Sequence, residues 1–180
     1  MTKVFVVDTC VGHAAGGPDA TFPLSKHSRD FLLLLREAGH KVAFDPASHD
    51  EWKAHRSRFA YTWLTSMYAK RRVILADEEV GDAVLVPLAA AKDLADHHRK
   101  AIAKDAPVVA TALAHDRLLA SVDGRLLTAL LEACRSMACV QGLVWIDVAG
   151  YCEELAAWVH KAAGQKKLPA AGNVPITVLK

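Results

Sequence analysis

Asp8, Glu51, Asp105 and Asp123 are the residues of this chain best suited to chemistry. Asp8 closes the apolar run Val4-Phe5-Val6-Val7, and Asp123 follows the run Leu118 to Val122. Asp105 and Glu51 each open a segment with helical patterning. Two like charges about 4 Å apart repel by roughly 4 kcal/mol at an effective dielectric near 20, so four carboxylates brought together are not a device for stability. They make a site. An oxygen-only donor set selects hard divalent cations such as Mg²⁺ or Mn²⁺, which in phosphoryl chemistry activate water and neutralise a departing oxygen.

The elements that must carry these acids are short apolar runs alternating with helical patterns. Strands are expected at 3–7, 41–44, 72–75, 117–121 and 142–146, with a last one at 175–179. Several are apolar on both faces, which suits the buried centre of a parallel sheet. Helices are expected at 28–38, 51–70, 88–103, 107–115, 125–137 and 151–163. In the longest, Trp52, Phe59, Trp63 and Met67 recur on one face, while Lys53, Arg56 and Arg58 spread over the others. The order of elements predicts an α/β/α sandwich around a mainly parallel sheet. Residues 164–175, rich in Gly, Lys, Pro and Asn, read as a linker; the apolar stretch after it either returns as an edge strand or binds a partner.

With 180 residues the chain suits one domain, which at this size buries about 70% of the surface its unfolded chain exposes. At 52% hydrophobic and 23% charged residues it reads as ordinary globular protein, without a run near the roughly 20 apolar residues of a membrane span. The start has no signal-peptide pattern, so a cytoplasmic protein is expected. Four cysteines, at 10, 134, 139 and 152, lack paired zinc spacing and are expected to be reduced and buried. A net charge of +2 does not by itself argue for nucleic acid.

In an open α/β sheet, ligands sit beyond the carboxyl ends of the strands, where Asp8 and Asp123 fall. Asp45, Asp77 and Asp147 also follow strands. Asp45 precedes Pro46 and fits a turn, Asp77 belongs to the acidic run Asp77-Glu78-Glu79, and Asp147 fits the opening of the last helical region. Asp105 before Ala106-Pro107 is a good N-cap, and Ser48-x-x-Glu51 fits a capping box. Spacing alone leaves both residues divided between capping and ligation.

The segment Lys104-Asp105-Ala106-Pro107-Val108-Val109-Ala110-Thr111-Ala112-Leu113, followed by Leu118-Leu119-Ala120-Ser121-Val122-Asp123, resembles PIN-domain nucleases. In that family an aspartate opens a helix with an "ATAL"-like sequence, and the next strand ends in Ser/Thr-x-Asp. The opening Val4-Phe5-Val6-Val7-Asp8-Thr9 is similar to the family's first strand, and Glu51 to its acidic residue on a helix after the second strand. Asp50, about 100° around the helix, is the rival of Glu51. The resemblance covers residues 3 to 160, and the tail and the long basic helix depart from it.

The resemblance implies Mg²⁺- or Mn²⁺-dependent hydrolysis of RNA by Asp8, Glu51, Asp105 and Asp123, within a domain of residues 1–163. It also implies a possible place as the toxin of a toxin and antitoxin pair, with an antitoxin or a second copy as partner. Thr9 and Ser121 would orient carboxylates or waters, or serve simply as turn and strand residues. Arg56, Arg58, Lys70, Arg71 and Arg72 are candidate phosphate contacts, and equally a solvated helix face. Two other classes stay open: a non-catalytic scaffold whose acids are caps, and a structure-specific DNA nuclease. His97-His98 is expected at the surface, the four tryptophans in packing roles, Cys10 in packing beside the site, and the 12–23 stretch near enough to gate it.

Overall fold

The computed structural model describes residues 2–76, 78–162 and 177–179, the side chains of 78, 79, 162 and 177 excepted. Among these, β1 (Val4–Val7), β2 (Lys41–Phe44), β3 (Val73–Leu75), β4 (Leu118–Ser121), β5 (Val144–Asp147) and β6 (Thr177–Leu179) form one all-parallel sheet in the order β3-β2-β1-β4-β5-β6. The register pairs Val6 with Ala43 on one side and with Leu119 on the other. The end of the tail is an edge strand, with Thr177 opposite Val144. The 164–175 stretch lies outside the described residues.

Alternation along the strands divides the core into two layers. Phe5, Val7, Val42, Phe44, Leu118, Ala120 and Ile146 pack on one face against α1 (Thr9–Ala14), α2 (Pro23–Glu37), α3 (Pro46–His55), α4 (Arg58–Ala69) and α9 (Glu153–Ala162). Val6, Ala43, Leu119 and Trp145 pack on the other against α5 (Asp82–Ala90), α6 (Asp96–Lys104), α7 (Ala106–Ala114) and α8 (Gly124–Ala133). Both faces of the sheet are therefore dry, which is why its strands lack a polar face. This is the expected α/β class, with helices on both faces of the sheet and every described strand pair parallel.

Two expected helices are each broken. The 51–70 pattern is α3 and α4, separated where Arg56 turns extended and the Ser57 side chain accepts the Ala60 N–H as the N-cap of α4. The aromatic face survives the break because Trp52 and Trp63 meet across it, ring centroids 5.9 Å apart. The 88–103 pattern is α5, which begins earlier, and α6; Arg99 donates to the Leu94 carbonyl at 3.0 Å and the Leu88 carbonyl at 3.4 Å in the gap. The capping box is also corrected. Asp45 is the N-cap of α3, accepting from the Ser48 N–H at 3.0 Å and from the Ser48 hydroxyl, so Ser48 lies inside the helix.

Gly12 belongs to α1 rather than to a loop, and it is where α1 meets α3. A Cβ there would lie 2.6 Å from the Trp52 ring. Neither the α1 backbone nor a fully buried indole yields easily, so Gly12→Ala is expected to destabilise by about 1–3 kcal/mol in denaturant unfolding. An unchanged midpoint would show that the two helices slide freely.

The four cysteines are not joined in disulfides, and they are half-buried rather than buried. Trp52, Trp63 and Trp145 are fully buried, and Trp158 packs at the edge of the core. Arg72, one of the candidate phosphate contacts, donates instead to the Arg36 carbonyl at 2.7 Å near the end of α2. No described helix is long and apolar enough to cross a membrane.

Candidate functional site

The strand order reverses between β1 and β4: the chain moves one way from β1 to β2 and β3, and the other way from β4 to β5. Loops leave these neighbouring strands in opposite directions and open a crevice at their carboxyl ends, the usual ligand position in such sheets. Asp8 and Asp123 stand at its two sides. The Asp8 N–H donates to the Ala120 carbonyl at 2.9 Å, which ties the end of β1 to β4.

Asp8 is held from several directions. Its Oδ2 accepts the Ser121 hydroxyl at 2.6 Å and lies 3.1 Å from Cys10 Sγ, and its Oδ1 accepts the Cys10 N–H at 3.4 Å as the N-cap of α1. Ser121 Oγ in turn accepts the Asp123 N–H at 3.0 Å, so one hydroxyl links the two strand-end aspartates. Asp123 caps α8 through Oδ1, which accepts from Arg125 N at 2.8 Å and Leu126 N at 3.2 Å. Glu51 reaches the crevice from α3, where its Oε2 accepts the Thr9 hydroxyl at 3.3 Å.

Asp105 differs from the others. It stands at the junction of α6 and α7, in the N-cap position of α7, yet its carboxylate accepts no capping hydrogen bond. Desolvation raises its pKa to about 6, opposed by Lys104 and reinforced by the charges of Asp8, Asp123 and Glu51. That reinforcement places all four acids in one electrostatic neighbourhood. They line a common cavity of about 210 Å³ with Thr9, Cys10, His13, His55 and Lys104.

Of the two neighbouring acids on α3, Glu51 lines this cavity, while Asp50 is exposed and pairs with Lys53 at 2.9 Å. Asp147 caps the short turn of helix at Val148–Gly150, accepting from Ala149 N at 3.1 Å. Asp77 lies outside the described residues. Arg56 and Arg58 do not line the acidic cavity. Arg56 lies in a cleft with Tyr61 and Tyr68, and Arg58 beside Gly16 and Gly17.

The cavity's own nitrogen groups, His13, His55 and Lys104, escaped the sequence reading. Lys104 had a signal, being adjacent to Asp105. His55 stands four positions after Glu51, the spacing that keeps two residues on one helix face. His13 had none, because the stretch after Gly12 reads as a loop, whereas His13 lies on α1, four positions after Thr9. Cys10 is locked between Asp8 and Ser121, and burial together with the Asp8 charge pushes its thiol far up, so it stays protonated. His97 is exposed and His98 half-buried, with their rings 3.9 Å apart.

Among the described residues, no group of three or more His, Cys, Asp or Glu side chains stands ready to hold a metal ion. Repulsion between uncompensated carboxylates favours separation, and Asp8 and Asp123 are engaged with hydroxyl and backbone donors. The donor chemistry nevertheless fits a hard divalent cation: four carboxylates line one cavity, and the Asp105 carboxylate is not spent on capping α7. Comparison with protein-family models, with curated proteins and with solved structures found no match.

Proposed function

We propose that this protein is a PIN-type nuclease that hydrolyses RNA phosphodiester bonds with Mg²⁺ or Mn²⁺. The observation that carries the reading is Asp105: a carboxylate that makes no cap bond, desolvated within the field of three other carboxylates, at the crevice between β1 and β4. Such an arrangement costs stability and gains sense only with a cation.

Asp8, Glu51, Asp105 and Asp123 would hold the ion or ions. Bound there, they would supply activation of water for in-line attack on phosphorus and neutralise the departing oxygen. Ser121 and Thr9 keep the Asp8 and Glu51 carboxylates in place through their hydroxyls. Lys104 offers a cation inside the acidic cavity, suited to a phosphate oxygen.

Thermal unfolding in chelator, Mg²⁺ and Mn²⁺, with single-stranded RNA and a flapped DNA incubated in parallel, tests this. A ligand present at a hundred times its Kd stabilises the folded state by about 2.7 kcal/mol. A higher melting temperature with either ion, accompanied by RNA cleavage, is expected. Cleavage of the flap alone would make DNA the substrate, and superimposed curves with intact strands would return the chain to the scaffold class.

A further inference from the structure

Helix α3 borders two cavities. Glu51 and His55 face the acidic one, while His49, Lys53 and Arg56 line a cleft of about 220 Å³ against Tyr61 and Tyr68 of α4. The periodicity explains this division. Positions 49 and 53 share one side of the helix and 51 and 55 lie on the opposite side, while Arg56 is the extended C-cap that follows.

The cleft is neither a packed core nor a simple solvated face. Tyr61 is 53% exposed and Tyr68 42% exposed, large amounts of ring for a soluble surface. The Arg56 guanidinium lies over the Tyr61 ring, 4.7 Å from its centroid. It donates no hydrogen bond among the described residues, and its Nη1 is shielded from solvent without a partner. A half-buried guanidinium with unspent donors lacks an acceptor, and an anion supplies one. The Tyr68 hydroxyl is hydrogen-bonded to His49 Nε2, which sets the ring's angle. Among the described residues no acid lines the cleft, and Asp50, 76% exposed, is paired with Lys53.

We propose that the cleft between α3 and α4 seats an unpaired nucleotide of the substrate strand, its base on Tyr61 and Tyr68 and its phosphate on Arg56 and Lys53. Exposed aromatic faces combined with cations are the recurring means of holding single strands, because every base has a face to stack and every link a charge. The cleft and the acidic cavity are separated by one helix, about 10 Å across, which an extended strand passes in a few nucleotides. The inference rests on the nuclease reading for its substrate, but binding is measurable without cleavage.

Fluorescence anisotropy of a labelled single-stranded RNA, with chelator present so that no strand is cut, reads it directly. Tyr61→Ala is expected to weaken binding about tenfold, and Tyr61→Phe to restore it. Arg56→Gln should reduce the slope of log affinity against log salt by about 0.7, the share of one phosphate contact on a single strand. Tyr61 is exposed, so its variants keep the fold, and their melting temperatures check this. Wild-type affinity and salt slope in both Tyr61→Ala and Arg56→Gln would overturn the proposal, as would absence of RNA binding by the wild type. A glutamate-rich peptide that binds more tightly than RNA would replace the strand by an acidic protein partner. Loss of the cleft effects with metal-dependent cleavage intact removes the cleft alone; loss of cleavage with the cleft effects intact removes the nuclease reading alone.

Discussion

Asp105→Asn is expected to lower the rate of RNA cleavage by more than about a hundredfold while making the metal-free protein more stable. The first effect follows from the proposed role, since even the outer partners of metal ligands are worth ten- to a hundredfold. The second follows from the carboxylate's setting. Its pKa is raised to about 6 by desolvation and by Asp8, Asp123 and Glu51, so the folded protein binds this proton more tightly than the unfolded chain does. The stability it contributes is complete below the ordinary aspartate pKa near 4 and is lost as pH rises through about 6. Because the group is only half-buried, screening leaves an effect on the order of 1 kcal/mol at pH 8, or about 2–4 °C in Tm.

The variant and the wild type should therefore melt together at pH 4 and separate at pH 8, the variant higher. Addition of Mg²⁺ should close or reverse the gap. Melting curves across pH with chelator, repeated with the ion, check both signs. A variant less stable at pH 8 would mean that Asp105 serves the fold, and the four-acid site would lose its main support. Asp105 is a cleaner probe than Asp8, whose carboxylate also caps α1 and accepts the Ser121 hydroxyl.

Trp52→Ala is expected to cost about 3–5 kcal/mol, a large fraction of the 5–15 kcal/mol typical of a folded domain. The indole is fully buried, packs edge-on to Phe44 at 5.3 Å, and donates from Nε1 to the Val7 carbonyl at 2.9 Å. It thus joins α3, beside Glu51, to the last residue of β1, beside Asp8. Denaturant unfolding measures the loss, and metal-dependent stabilisation of whatever remains folded should fall with it. A loss below about 1 kcal/mol would show that α3 is anchored elsewhere and that Glu51 does not depend on this ring.

Apolar runs without a polar face determined a parallel sheet covered on both sides, because strands buried on two faces have no position that tolerates water. The strand-end positions of Asp8 and Asp123 followed from the same runs, so those two acids were legible. The sequence also marked residue 105 as a helix start, but not whether its carboxylate would cap. Only the tertiary structure decided that, by placing the side chain in the field of three other carboxylates with no bond to the helix amides. The break at Arg56-Ser57 was equally out of reach, since the aromatic period runs through it and the tryptophans keep their shared face on both sides. That break turns Arg56 onto Tyr61 and opens the second cleft. Periodicity reports which residues are buried, whereas the directions of polar side chains depend on contacts distant in sequence, and in this chain those contacts separate the carboxylates that cap helices from the one that does not.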